Sequence, residues 1–154
     1  MADQDTLFRA VFPLPDLAAT EALGARIAGQ LRPGDLVALS GELGAGKTTL
    51  ARTIVTSLGV AENVPSPTFT LVQCYETPAL IISHYDLYRL KSPRELDELG
   101  LEEALELGAV LVEWPERAET RLPMDRLTVE LSAHDDGRRA ALSAPKRWRD
   151  LLHG

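Results

Sequence analysis

Residues 41–48 read Gly-Glu-Leu-Gly-Ala-Gly-Lys-Thr, a complete G-x-x-x-x-G-K-[ST] run. Its neighbours narrow the fold further. Residues 36–40, Leu-Val-Ala-Leu-Ser, are short, apolar and preceded by Gly34-Asp35, so they read as a buried strand. Residues 48–58 carry apolar side chains at 50, 51, 54, 55 and 58, the spacing of a helix. Strand, glycine loop and helix together predict a phosphate-binding loop rather than a chance turn. Its backbone N–H groups and the positive helix end would face phosphates. In that reading Gly41, Glu42, Leu43, Gly44, Ala45, Gly46, Lys47, Thr48 and Thr49 bind a nucleotide. Lys47 reaches the β- and γ-phosphates and the Thr48 hydroxyl ligates Mg²⁺.

A chain of 154 residues fits one domain with a real core. The expectation is a single domain over 1–154, with residues 1–6 and about 145–154 free to flex. No apolar stretch approaches the ~18 residues of a membrane span. The acidic start, Met1-Ala2-Asp3-Gln4-Asp5-Thr6, does not read as a secretory signal. Cys74 is the only cysteine, which excludes an internal disulfide and suggests a reducing compartment. Inside an apolar strand it reads as packing rather than as a nucleophile. A net charge of −7 argues against a broad nucleic-acid surface. It does not conflict with a loop that binds a polyanion through backbone donors.

Residues 7–12 predict a first strand, stopped by Pro13 and Pro15. Asp16 is a good N-cap, and Leu17, Leu23, Ile27 and Leu31 are read as one face of the helix that follows. Gly59 suits the end of the helix after the glycine loop. Residues 69–75 and 79–86 read as an antiparallel hairpin broken at Thr77-Pro78. Ser92-Pro93-Arg94-Glu95 is a capping box, so a helix begins there and Gly100 ends it. Residues 101–107 suggest a second short helix and 109–114 a buried strand stopped by Pro115. Residues 127–131 and 138–142 pair as a hairpin, and the tail from Pro145 reads as a short helix. The expected fold is α/β: a P-loop NTPase with a mixed parallel and antiparallel sheet flanked by helices.

A phosphoryl-transfer site also needs a carboxylate for Mg²⁺ and a group that positions the nucleophile. Asp86 ends one apolar strand and Glu113 another, the ends at which ligands bind in open α/β sheets. One acid would support the metal and the other water or the metal shell; the residues alone do not divide the roles. Lys47, Asp86 and Glu113 are therefore the candidate catalytic set, and Thr48, Asp86 and Glu113 the candidate metal set. Residues 66–70, Ser-Pro-Thr-Phe-Thr, resemble a switch loop that offers a hydroxyl near metal and γ-phosphate. His84 shares a strand face with Asp86 and could act as a base, although a hydrogen-bonded structural histidine is the plainer reading. Trp114 could stack on a base or a partner, although beside a buried strand it reads more plainly as core. No His/Cys spacing suggests zinc. No Asn-Lys-x-Asp run marks a GTPase, and no Leu-Ser-Gly-Gly-Gln run marks a transporter ATPase.

Four segments occur in order: Gly-Glu-Leu-Gly-Ala-Gly-Lys-Thr-Thr at 41–49, Ser-Pro-Thr-Phe-Thr-Leu-Val at 66–72, His-Tyr-Asp-Leu-Tyr-Arg-Leu at 84–90 and Val-Glu-Trp-Pro-Glu at 112–116. Together they resemble the bacterial TsaE (YjeE) family over residues 7 to about 132. The resemblance implies a cytoplasmic protein with weak Mg²⁺-dependent ATPase activity and ATP as substrate. It implies work with the TsaB–TsaD pair, in which TsaD forms threonylcarbamoyladenosine at position 37 of tRNAs that decode ANN codons. tRNA would be met only indirectly, and no membrane would be involved. By position, Lys47 and Thr48 take the phosphate and Mg²⁺ roles, Asp86 is the Walker-B-like acid, and Glu113 lies near Mg²⁺ and the γ-phosphate. Thr68 falls in the switch-like segment, and Trp114 completes the Glu-Trp pair.

Two other readings differ in class. A nucleotide-gated binding module would use ATP or ADP to set its affinity for TsaB–TsaD, with hydrolysis only as a reset. A small-molecule kinase would rest on the glycine loop alone, since no arginine-rich lid is visible. Arg89 is an internal candidate for charge stabilisation, or else an ion-pair partner of Asp86 or Glu113. The first strand and helix, or the C-terminal arginines, could enclose the adenine.

Overall fold

Strand and helix periodicities are realised in a computed structural model that describes residues 7–42, 44–60, 71–134 and 137–153. The elements run β1 (Phe8–Leu14), α1 (Leu17–Gln30), β2 (Leu36–Gly41), α2 (Lys47–Ser57), β3 (Val72–Glu76), β4 (Ile81–Asp86), α3 (Arg94–Glu98), α4 (Leu101–Leu107) and β5 (Gly108–Glu113). A 3₁₀ segment, Pro115–Arg121, leads to β6 (Leu127–His134) and β7 (Gly137–Ala144). A second 3₁₀ turn, Lys146–Trp148, then leads to α5 (Arg149–His153). Leu43, Thr68 and the rest of the expected switch loop lie outside the described residues.

The strands form one seven-stranded sheet in the order β1-β7-β6-β2-β5-β4-β3. Pairs β2–β5, β2–β6 and β4–β5 are parallel, and β1–β7, β6–β7 and β3–β4 are antiparallel. The fold is therefore mixed α/β, a sheet flanked by helices. All six residues of β5 are buried, as a continuous apolar run at the centre of a covered sheet requires. Alternation splits the core in two. Val37, Leu39, Ala109 and Leu111 join the cluster that includes α1 and α2 residues. Leu36, Ala38, Val110 and Val112 join the cluster beneath α3 and α4.

Asp16 caps α1, its Oδ1 accepting from the Ala19 N–H at 2.9 Å. Leu23, Ile27 and Leu31 are buried, but Leu17 is exposed. Six residues separate Leu17 from Leu23, which at about 100° per residue turns it some 120° away from that stripe. In the capping box, Glu95 Oε1 accepts from the Ser92 N–H at 3.1 Å and Ser92 Oγ from the Arg94 N–H at 3.1 Å. The β6–β7 hairpin extends beyond its expected ends, with His134 paired to Gly137. Cys74 is exposed rather than packed, because it lies on the edge strand β3. The tail, expected to be free to flex from about residue 145, is folded against the sheet instead. Trp148, Leu151 and Leu152 are all part of the α1/α2-side core.

Candidate functional site

The connection from β2 to α2 turns on glycines. Gly41, Gly44 and Gly46 have φ of 138°, 82° and 104°, a region L side chains rarely enter. A Cβ on Gly41 would also lie 2.4 Å from the Leu131 carbonyl oxygen. The loop thus delivers Lys47 as the first residue of α2, whose leading N–H groups lack partners within the helix and favour anions. Lys47 is 5% exposed. Its Nζ donates to the carbonyls of Gly41 at 2.6 Å and Glu42 at 2.9 Å and sits 4.0 Å from the Trp114 ring centroid. Burial lowers the Lys47 pKa, opposed by the carboxylates of Glu113, Glu116 and Asp86.

Parallel pairing of β4 and β5 sets Asp86 opposite Glu113, so two acids meet at adjacent strand ends. Glu113 is buried and held from both sides. Thr48 Oγ1 donates to its Oε1 at 2.9 Å, and His84 Nε2 lies 2.6 Å from its Oε2. Asp86 Oδ1 accepts from the Tyr88 N–H at 3.1 Å. Burial raises the Asp86 pKa; the Tyr88 N–H opposes that rise, nearby Glu113 adds to it, and His84 and Lys47 oppose it. Among the described residues Glu113 is held by Thr48 and His84 rather than by Arg89, which lines the cavity wall.

Lys47, Thr48, Asp86, Glu113 and Trp114 surround one cavity of about 430 Å³. Thr49 and Gly46 complete its α2 side. Trp114 is half-buried, packed against the α3/α4-side core and lining this cavity, and is the one described non-glycine residue with positive φ, 59°. Held so, its ring covers Lys47 and meets Tyr88 with centroids 4.9 Å apart. Among the described residues no three His, Cys, Asp or Glu side chains form a metal cage. What the site offers a cation is a hydroxyl and two carboxylates.

Two contributors were not singled out by residue type alone. Tyr88, two residues beyond Asp86, packs its ring at a tilt against Trp114; an aromatic just after a strand-end acid was the available signal. Arg138, from the start of β7, donates from Nη2 to the Gly44 carbonyl at 3.0 Å and reaches the glycine loop across 94 residues of chain. Nothing local in its sequence marks that contact.

Comparison with known proteins agrees with the four-segment resemblance. The family model described as "Threonylcarbamoyl adenosine biosynthesis protein TsaE" matches residues 14–141. Proteins named tRNA threonylcarbamoyladenosine biosynthesis protein TsaE are similar over most of the chain. The one from Rickettsia felis is 46% identical over 121 residues, 78% of this chain and 71% of that protein. The one from Bacillus subtilis is 39% identical over 135 residues, 86% of this chain and 84% of that protein. The crystal structure of Bacillus subtilis YdiB superposes with a TM-score of 0.81 at 31% identity, covering 96% of this chain and 94% of that one.

Proposed function

The chain belongs to the TsaE family, whose named members serve tRNA threonylcarbamoyladenosine biosynthesis; on that footing we propose that it is a weak Mg²⁺-dependent ATPase that supports the TsaB–TsaD pair. In this reading it is a cytoplasmic protein that hydrolyses ATP to ADP and phosphate, and its cycle sustains modification of adenosine at tRNA position 37. It meets tRNA only through those partners. Among the described residues no helix is long and apolar enough to cross a membrane.

The observation that carries the proposal is the convergence of Lys47, Thr48, Asp86 and Glu113 on one cavity at the N-terminus of α2. The donor set fits Mg²⁺, which binds through one or two carboxylates plus substrate phosphates and water, not through an all-protein cage. Thr48, Glu113 and Asp86 would hold it, directly or through water, and the ion would neutralise charge on the phosphates. Lys47 must exchange the Gly41 and Glu42 carbonyls for phosphate oxygens, a trade of neutral acceptors for charged ones. Glu113 orients the attacking water from its fixed carboxylate, and Trp114 shields that corner from solvent. A trans-acting charge can add about 10³–10⁵ in rate at such sites, which accounts for weak activity alone.

The test is ATP hydrolysis by the protein alone and with TsaB–TsaD, beside Lys47→Ala and Glu113→Ala. The expected result is stimulation by the partners, lost in Lys47→Ala and strongly reduced in Glu113→Ala. Hydrolysis by Lys47→Ala at the wild-type rate in the full complex would overturn the assignment.

A second reading has its own support. The engagement of Lys47 by loop carbonyls and Trp114 is an arrangement that phosphate would break, so nucleotide could gate partner binding. Equal affinity for TsaB–TsaD in ATP-analogue and ADP states would exclude gating, because a ligand without preference shifts no equilibrium.

A further inference from the structure

His84 lies on β4 two residues before Asp86, opposite Leu111 of β5 in the parallel register. From there its ring reaches forward to Glu113, with Nε2 2.6 Å from Oε2. The other carboxylate oxygen is taken by Thr48 of α2 at 2.9 Å. Each oxygen of Glu113 is thus held by a donor from a different element, and the carboxylate can neither rotate nor change rotamer without losing one. The imidazole is 1% exposed, and its Nδ1 is buried with no hydrogen-bond partner among the described residues. An ionised carboxylate only accepts, so the ring nitrogen that faces it donates, and Nε2–H points at Glu113. Among the described residues, the one polar atom of this side chain that has a partner is the one that serves Glu113.

We infer that His84 is a positioning residue, which fixes the Glu113 carboxylate through Nε2 so that Oε1 stays on Thr48 and the cavity. The role rests on the ATPase reading above. It does not require His84 to touch nucleotide or to transfer a proton. Outer groups that orient a metal-site carboxylate act in this way, and their loss impairs turnover while the phosphate cradle stays intact.

Glutamine and asparagine separate this role from packing. Glutamine carries an amide N–H at about the reach of Nε2, whereas asparagine stops near Nδ1. With Mg²⁺-ATP and the TsaB–TsaD complex, His84→Asn should lower kcat about 10–100-fold. KM should stay within about twofold, because the cradle is untouched. His84→Gln should retain most of kcat, with a melting temperature like that of His84→Asn. In ¹⁵N spectra of the nucleotide-free protein, Nε2 should carry a hydrogen and its shift should move in Glu113→Gln. Wild-type kcat in His84→Asn, equal kcat losses in both variants that track their melting temperatures, or a ring with no hydrogen on Nε2 would each overturn the inference. If hydrolysis needs Lys47 but ignores His84→Asn, only the positioning role falls. If wild type and Lys47→Ala hydrolyse ATP alike, the ATPase reading falls and takes the positioning role with it.

Discussion

Replacing Trp148 by alanine tests whether the C-terminal tail is part of the fold. The side chain is 1% exposed and among the largest fully buried groups in the chain. Arg147 stacks over its ring at 4.3 Å and donates to the Gln30 carbonyl at 2.9 Å and to Asp35, which ties the tail to the α1–β2 turn. Arg26 of α1 donates to the Leu151 carbonyl. Truncating a buried Trp to Ala costs about 3–5 kcal/mol in transfer and cavity terms. For a chain of this size about 2–4 °C of melting temperature is lost per kcal/mol, so Trp148→Ala should melt about 6–20 °C below wild type. A chain ending at residue 144 also loses Leu151 and Leu152, each worth about 2–5 kcal/mol. Even allowing for non-additivity, that total rivals a whole stability of about 5–15 kcal/mol, so the shortened chain should not fold.

The assay is thermal unfolding by circular dichroism and calorimetry. In a Trp114→Phe background the remaining tryptophan, Trp148, reports by its own emission whether the intact tail is buried. Trp148→Phe keeps most of the volume and should fall between the two. A Trp148→Ala protein melting within about 3 °C of wild type would imply a loss near 1 kcal/mol and refute the packing argument. So would a cooperative transition in the chain ending at 144.

Three further outcomes follow from local geometry. Gly24→Ala would gain about 1 kcal/mol on helix propensity alone. Here the new Cβ would sit 2.0 Å from Thr53 Oγ1, so the variant should instead lose about 1–3 kcal/mol in urea unfolding; Thr53→Ala should rescue it only in part, because the Thr53 Cβ remains 2.8 Å away. Tyr85→Phe removes a hydroxyl that donates to the Leu99 carbonyl at 2.9 Å and should cost about 0.5–1.5 kcal/mol at neutral pH. Burial pushes the Tyr85 phenol up to about 12, so the folded state keeps the proton that the unfolded chain releases near pH 10; stability should fall as pH rises from 10 towards 12, less steeply in Tyr85→Phe, as read by denaturant midpoints. Arg138→Ala frees the Gly44 carbonyl at an exposed hydrogen bond worth about 0.5–1.5 kcal/mol and should weaken ADP binding about 2–10-fold in calorimetry, with no change in affinity counting against Arg138 as a prop of the glycine loop.

Much of the local order was legible because its causes are local. Asp16 caps α1, Glu95 closes a capping box, and positive φ at Gly41 and Gly46 sits where the motif places glycine. The continuous apolar run before Glu113 marked a strand covered on both faces, which β5 is. Errors arose where neighbours decide. Cys74 was read as packed because its strand is apolar, but burial depends on the sheet order, and β3 is an edge. Trp114, open in the sequence between core and a stacking role, is half-buried against the α3/α4-side core with its ring over Lys47, a placement that only the packed neighbours decide. Trp148 carried no periodic signal in a segment this short, so its burial was invisible.

By itself, then, the chain determined the glycine loop, the elements on either side of it and the two strand-end acids, all encoded by residues within a few positions of one another. Only the tertiary structure decided that β5 lies between β2 and β4, and therefore that Glu113 meets Thr48 across 65 residues and His84 across 29. Side-chain period sets which face of a strand is buried, but not which strand lies beside it. That choice follows from how all the apolar faces close together, and it turns separately legible residues into one site.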